Sequence, residues 1–333
     1  MTSPALIDIP VITIADGEEP ALATFAAERD RVELLLKSAA RAYTQPGLVL
    51  ADWRTKRWAR KLRSPYADAI RELDREMGRP GAHLLNYSYE WGCTTGASDD
   101  AVLGGATMLR ALDWPFDGLG RALIVTRRRS NAGPYLAITW PGFAGILTAM
   151  APGRFAAAIN QPPLPLPHLG RAAGWLANRV AAGRSRAIPP DHLLRLAFDT
   201  CRGFDEAVTT IRDTPICLPA IFTIAGANPG QHLVIERTQD RAFLPDAAAA
   251  ANHWAASGPP KGKPRNSSSR DRRATMTALL RTAPDWSLGW MREPILQPDT
   301  RLVAMANPRA GRLVVQGWEK TGPATTILDL SEG

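Results

Sequence analysis

The pattern of apolar and polar positions changes character along the chain. In residues 1–20, Ile7, Ile9 and Val11 alternate, and Ile12 and Ile14 continue the β-branched run out of phase. That pattern predicts extended chain. From 21 to 43 the apolar positions fall at helical spacing, with Leu22, Phe25, Val32, Leu35 and Leu36 on one side. A second helical stretch is expected over about 53–63. A third runs over 65–77 and is stopped by Gly78, with Pro80 beyond it. The first third is therefore expected to be mostly helical.

The texture changes at His83. Short apolar runs separated by turns predict strands over 84–89, 94–97, 122–126, 135–140, 145–150 and 155–159. Helices are expected again over 192–201, 205–214 and about 273–281, and strands over 218–224, 232–236, 302–306 and 313–316. Runs of strands separated by blocks of helix point to α+β layers, not to an alternating parallel sheet. Residues 161–170 and 255–269 read as loops, and no internal repeat is present. Residues 135–153 carry no charge, yet Pro141, Gly142, Gly145, Pro152 and Gly153 break any helix there. Two buried strands joined by a turn at Pro141-Gly142 fit better than a membrane span.

With 333 residues and 45% hydrophobic content, the chain can bury a large core as one big domain or two smaller ones. A net charge of +8 favours anionic partners, but no basic run is laid out like a nucleic-acid reader, so no nucleic-acid partner is expected. The 53–63 stretch holds Arg54, Lys56, Arg57, Arg60, Lys61 and Arg63 beside Trp53 and Trp58. Such a helix could rest transiently on an anionic membrane surface; a solvated basic face is the simpler reading. The amino terminus has no basic leader and Asp8 interrupts its first apolar stretch, which makes a cytoplasmic location the expectation. The sequons at Asn86 and Asn266 then carry no weight.

Cys93, Cys201 and Cys217 form no C-x-x-C pair, and their odd number argues against a disulfide framework. His83, His168, His192, His232 and His253 show no metal-ligand spacing. There is no G-x-S-x-G elbow and no phosphate-binding or dinucleotide-binding glycine pattern. No metal or organic cofactor is expected. Read from its residue type alone, each cysteine is a buried structural thiol.

One region carries more. Tyr89-Glu90 precedes Gly92-Cys93-Thr94-Thr95, and Leu109-Arg110-Ala111-Leu112-Asp113-Trp114 follows. Further on stand Gly142-Phe143-Ala144-Gly145-Ile146-Leu147-Thr148, then Pro152-Gly153-Arg154-Phe155, and finally Asn252-His253-Trp254 with Asp271-Arg272-Arg273. Taken together, over about 84–280, these segments resemble the acid ceramidase and N-acylethanolamine-hydrolysing acid amidase family. That family lies in the choloylglycine hydrolase group of N-terminal-nucleophile (Ntn) hydrolases. Three positions depart from the family pattern: Ala111 stands where Asn is usual, Gln161 where a carboxylate assists, and Asn252 lies closer to its Trp.

The resemblance implies a four-layer αββα Ntn-hydrolase sandwich, with residues 1–92 as a helical amino-terminal subunit and 93–333 as the core. It implies self-cleavage before Cys93, followed by hydrolysis of linear amides, N-acyl amides with apolar acyl chains above all, through a thioester. Asp113 would accept a hydrogen bond from the Cys93 amine. Arg110 would hold the Cys93 region and screen negative charge, Asn252 would donate to the oxyanion, and Arg272 would brace the cluster. The chemistry suits a cysteine: a free thiol has a pKa of about 8.5 and a new α-amine one of about 7.7–8.0, so that amine can take the thiol proton. Two alternatives stay open: an acyltransferase of the penicillin-biosynthesis type using the same Cys93, and an uncut, non-catalytic binding protein of the same fold. Without the resemblance, Arg110 and Asp113 read as an i, i+3 surface pair and Asn252 as a turn residue.

Overall fold

In a computed structural model the described residues are 5–89, 91–163, 185–265, 267–282 and 285–331. The first third folds into α1 (Pro20–Ala27), α2 (Arg29–Tyr43), α3 (Gln45–Ala59), α4 (Ala67–Met77) and α5 (Ala82–Tyr87). The helix expected over 21–43 is broken at Glu28, whose backbone leaves helical geometry. α3 starts well before residue 53. Thr44 caps it by accepting from the Gly47 N–H, and Pro46 falls in the first turn, where no N–H is needed. α4 ends where expected, on Gly78 in the left-handed conformation.

Residues 82–87 are helical, which corrects the strand expected over 84–89. A short apolar run has no period long enough to separate the two states. Here the helices decide: Leu84 packs with Ala39 and Leu48, and its N–H donates to Asp52 Oδ1 at 2.8 Å.

Two sheets follow. The first has the order β1 (Val11–Thr13), β4 (Ile124–Ser130), β5 (Gly133–Thr139), β6 (Thr148–Ala151), β7 (Phe155–Asn160), β8 (Ala220–Gly226), β9 (His232–Arg237) and β10 (Ala242–Phe243). It is antiparallel except for β1, which lies parallel to β4 with Val11 opposite Val125. The second has the order β11 (Ala249–Ala250), β2 (Gly92–Asp99), β3 (Ala106–Asp113), β12 (Thr300–Asn307), β13 (Arg312–Glu319) and β14 (Gly322–Pro323), with β15 (Leu328–Ser331) also paired to β13. Residues 135–153 form β5 and β6 as strands, and among the described residues no helix is long and apolar enough to cross a membrane.

The sheets face each other through β2, β3, β7, β8 and β12. Thr95 Oγ of β2 meets Thr223 Oγ of β8 at 2.6 Å across the interface. α6 (Pro190–Thr200) and α7 (Phe204–Asp213) cover the outer face of the first sheet, where Phe198 stacks on Phe155 at 4.6 Å. α8 (Ser269–Leu279) covers the second sheet. It approaches β2 at Gly96, where a Cβ would stand 2.7 Å from Met276 Cγ. The layers are thus α, β, β, α, the fold class expected.

Candidate active site

The pairing of β2 with β3 builds the site. Gly92 lies opposite Asp113, Cys93 opposite Leu112 and Thr95 opposite Arg110. Strand alternation puts Cys93, Thr95 and Arg110 on the face toward the first sheet, and Gly92, Thr94 and Asp113 on the face toward α8. Arg110 and Asp113 are therefore not an i, i+3 surface pair. They are buried in one strand on opposite faces.

On the inner face, Cys93 Sγ lies 3.7 Å from the Ile159 carbonyl oxygen. Arg110 Nη2 donates to that same oxygen at 2.9 Å, and Nη1 donates to Asn160 Oδ1. Asn160 Nδ2 donates on to Thr95 Oγ at 3.1 Å. Burial pushes the Cys93 thiol up to about 11, with Arg110 and Arg272 pulling it down and Asp113 pushing it up. Cys93 is thus a neutral thiol at physiological pH.

On the outer face, Arg272 joins the parts. It lies in the first turn of α8, which begins at Ser269 and not near 273 as the sequence suggested. Its Nη1 donates to the Cys93 carbonyl oxygen at 2.9 Å, to Thr94 Oγ at 2.8 Å and to Asp113 Oδ2 at 3.0 Å. Its Nη2 donates to Asn252 Oδ1 at 2.9 Å. Thr300 Oγ donates to the other Asp113 oxygen at 2.8 Å. Burial raises the Asp113 carboxyl pKa above the usual range, against the pull of Arg272 and Thr300.

Asn252 faces residue 93 with its carbonyl end. Its Oδ1 accepts the Cys93 N–H at 2.8 Å, and its Nδ2 donates to the Gln161 carbonyl at 2.7 Å. The Asn252 N–H donates to Ser269 Oγ at 2.9 Å, and Glu236, buried, accepts from the N–H groups of Ala255 and Ala256 just beyond. The resemblance had implied an Asp113 bond to the Cys93 nitrogen and an Asn252 amide pointing at the oxyanion. Here Asn252 takes the Cys93 N–H, and Asp113 is linked to residue 93 through Arg272. Replacing Asn252 with Ala leaves two buried donors, one of them charged, without their acceptor. Such a loss costs about 1–3 kcal/mol. A lower urea midpoint at unchanged slope is the expected result.

Cys93, Arg110, Asp113, Asn252 and Arg272 thus form one cluster, all buried. Sequence reading quoted Thr94 and Thr95 in the Cys93 motif without giving them a role, and it missed Ser269, Glu236 and Thr300, polar or acidic residues in segments with no motif of their own. It noted Gln161 only as a departure from the family pattern and gave Asn160 no role. Glu90 and His168 lie outside the described residues. Cys201 and Cys217 are free and buried. Among the described residues no group of three or more His, Cys, Asp or Glu could hold a metal ion.

A narrow apolar cavity of about 40 Å³ lies under Trp114, with Leu35, Ala39 and Leu73 of the helical region facing Trp114, Trp140 and Phe143; none of the five cluster residues lines it. Trp114 directly follows Asp113 and packs on Trp91 with ring centroids 5.1 Å apart. A water needs roughly 10–15 Å³, so the cavity has room for a few waters and no acyl chain.

No family model matches the chain. An N-acylethanolamine-hydrolyzing acid amidase of Oryctolagus cuniculus is 28% identical over 162 residues, 47% of this chain and 42% of that one. One of Mus musculus is 26% identical over 183 residues, 53% of this chain and 48% of that one. The chain thus spans about half the length of the curated relatives it matches. Among solved structures, a Caenorhabditis elegans N-acylethanolamine-hydrolyzing acid amidase ortholog superposes with a TM-score of 0.51 at 17% identity, over 65% of this chain and 93% of that chain. The resemblance carried by the motifs is shown by these matches, and the fold is the Ntn-hydrolase sandwich.

Proposed function

We propose that this chain is an amide hydrolase that cuts itself between Gly92 and Cys93 and then uses Cys93 as an amino-terminal nucleophile. The observation that carries the reading is the convergence of Asn252 and Arg272 on the main-chain nitrogen and oxygen of residue 93. A cysteine that served only as core packing would have no use for two buried polar side chains gripping its backbone.

In the first step Cys93 Sγ attacks the Gly92 carbonyl carbon. The C–N bond breaks, the thiol proton ends on the Cys93 nitrogen, and a thioester joins Gly92 to Cys93. Water hydrolyses it, leaving a Gly92 carboxylate and a free thiol beside a new amine. That amine has a pKa near neutrality and serves as base for a thiol otherwise pushed up to about 11. Asn252 Oδ1 holds the amine through one N–H, so that its lone pair is free to face the sulfur. Arg110 stabilises the thiolate that forms. The second Nδ2 hydrogen of Asn252 is the donor for the oxyanion.

Turnover follows the same chemistry. The thiolate attacks the substrate carbonyl, the ammonium protonates the leaving nitrogen, and water releases the acid from the thioester. Residues 1–92 act as a helical subunit on the core of residues 93–333. The substrate is an N-acyl amide whose apolar acyl chain enters the cavity under Trp114, once the cut lets the helical side give way.

Intact mass of the purified chain, together with hydrolysis of N-acyl amides of graded chain length, tests this. Two fragments meeting at Gly92/Cys93 are expected. At about 0.8 kcal/mol per buried methylene, kcat/KM should rise by about 10²-fold from an acetyl to a hexanoyl amide. A single uncut mass with no acid released removes the proposal. Acid withheld and transferred to an added amine would make the enzyme an acyltransferase instead.

A further inference from the structure

The backbone just ahead of the proposed cut follows an unusual path. α5 ends at Tyr87 and β2 begins at Gly92, so the chain passes from one into the other over a short link. In that link Tyr89 has a φ of 51°, in the left-handed region that a bulky side chain rarely adopts. Such a conformation persists only where its surroundings hold it.

The hold is visible. Tyr89 OH donates to Asp191 Oδ1 at 2.7 Å, and both residues are buried. Asp191 stands in the first turn of α6 and is fixed in turn: its carbonyl accepts the Ile146 N–H at 3.1 Å. Gly145 lies against its carboxyl, where any Cβ would collide with Oδ2. That second oxygen is fully buried and, among the described residues, has no hydrogen bond of good geometry. The site described above uses neither Tyr89 nor Asp191.

We propose that the Tyr89–Asp191 hydrogen bond is a clasp that keeps the chain kinked ahead of Cys93, making both positioning residues for the cut between Gly92 and Cys93. The clasp rests on the reading that this chain cuts itself. It acts by limiting where the Gly92 carbonyl can lie relative to Cys93 Sγ, and it exchanges no atoms in the reaction.

The surroundings of Asp191 give the clasp a pH signature. Facing it are Tyr89, Tyr87 of α5, the buried Cys217 ahead of β8, and His192, whose Nε2 lies 3.7 Å from Oδ2. Burial pushes His192 down to about 3, so it is neutral, and its Nδ1 meets Ser64 Oγ at 2.7 Å. Arg195, one turn along α6, is committed to Glu19 and to the Ala144 carbonyl. Among the described residues no cation turns toward it, and burial pushes the Asp191 carboxyl up to about 7, against the Tyr89 hydrogen bond and two backbone N–H groups. Its folded pKa is thus raised. The clasped conformation is favoured while Asp191 is protonated and loses ground as pH climbs through about 7, when a charge would have to stay buried.

The test follows loss of full-length chain after cell-free synthesis and transfer into buffers from pH 5 to pH 8, by denaturing gel and intact mass. The parent should cut fastest below pH 7 and slow about ten-fold by pH 8, as expected for one group titrating near 7. Asp191→Asn keeps an acceptor for Tyr89 and removes the titration, so its rate should stay near the parent's low-pH rate throughout. Tyr89→Phe should cut about ten-fold more slowly at every pH. Should Tyr89→Phe fail to fold, the near-isosteric Asp191→Asn still decides through its pH profile. If the parent cuts itself but Tyr89→Phe matches its rate, or Asp191→Asn keeps its profile, the clasp is wrong and the cleavage reading stands. An uncut parent overturns both.

Discussion

Replacing Cys93 with alanine is expected to leave one uncut polypeptide of 333 residues and to abolish amide hydrolysis. The parent, purified the same way, should give two fragments, the second beginning at Cys93. Loss of a nucleophile that acts as a unit with its base lowers turnover by about 10⁴–10⁶-fold, so the residual rate should be indistinguishable from background. The fold should survive, because the substitution removes one sulfur from a site whose hydrogen bonds run mainly through the backbone of residue 93. Its N–H still reaches Asn252 and its carbonyl still reaches Arg272. Two observations would contradict this: a Cys93→Ala protein that still splits at the same bond, or one that hydrolyses amides at the parent's rate.

Arg272→Ala should be the most destabilising single change in the cluster. Arg272 is fully buried and donates, among the described residues, to four different groups, one of them an ion pair with Asp113 at 3.0 Å. Removing one partner of a buried pair strands the other and costs about 3–5 kcal/mol. Asp113 already has its pKa raised by burial, and without Arg272 it would be raised further. The sign follows: a carboxyl that prefers its proton in the folded state destabilises the fold as pH rises. The deficit of Arg272→Ala should therefore grow from pH 4 to pH 8, as read by urea unfolding at each pH. Arg272→Lys should recover only part of the loss, because a single ammonium cannot span the four acceptors that a planar guanidinium reaches. A deficit below about 1 kcal/mol at neutral pH would mean that Arg272 does not hold the cluster together.

Local pattern made part of this architecture readable and hid the rest. Strands such as β7 and β9 announce themselves because their apolar runs are short and bounded by turn residues. α3 was recognised only over its basic second half, because Pro46 and Gly47 read as breakers and their place in a first turn is not a periodic signal. α5 was misread because Leu84 and Leu85 fit a strand as well as a helix, and what decides is the distant Asp52. β10, β11 and β14 are two residues long and have no alternation to detect. The candidate site is the extreme case. Asn252 and Arg272 lie 159 and 179 positions from Cys93, and no window along the chain sees both ends. The motif resemblance brought them together in the reading, whereas their residue types alone would have left them a turn residue and a surface cation. It did not foresee that Asn252 Oδ1 also accepts the Cys93 N–H, because motif spacing does not encode which way an amide faces.

The strand at Val11–Thr13 has a consequence for what a cut after residue 92 would produce. It is a full member of the first sheet, paired with β4, and just ahead of it Ile7 bridges Thr325 while Thr326 Oγ donates to Asp8 Oδ1 at 2.8 Å. The leading polypeptide is thereby woven into the trailing one at both the sheet and the far carboxyl-terminal segment. Severing the covalent link would yield an interlocked two-chain particle, not a released propeptide. Its halves would co-migrate through dilution and chromatography and come apart only when the whole molecule unfolds.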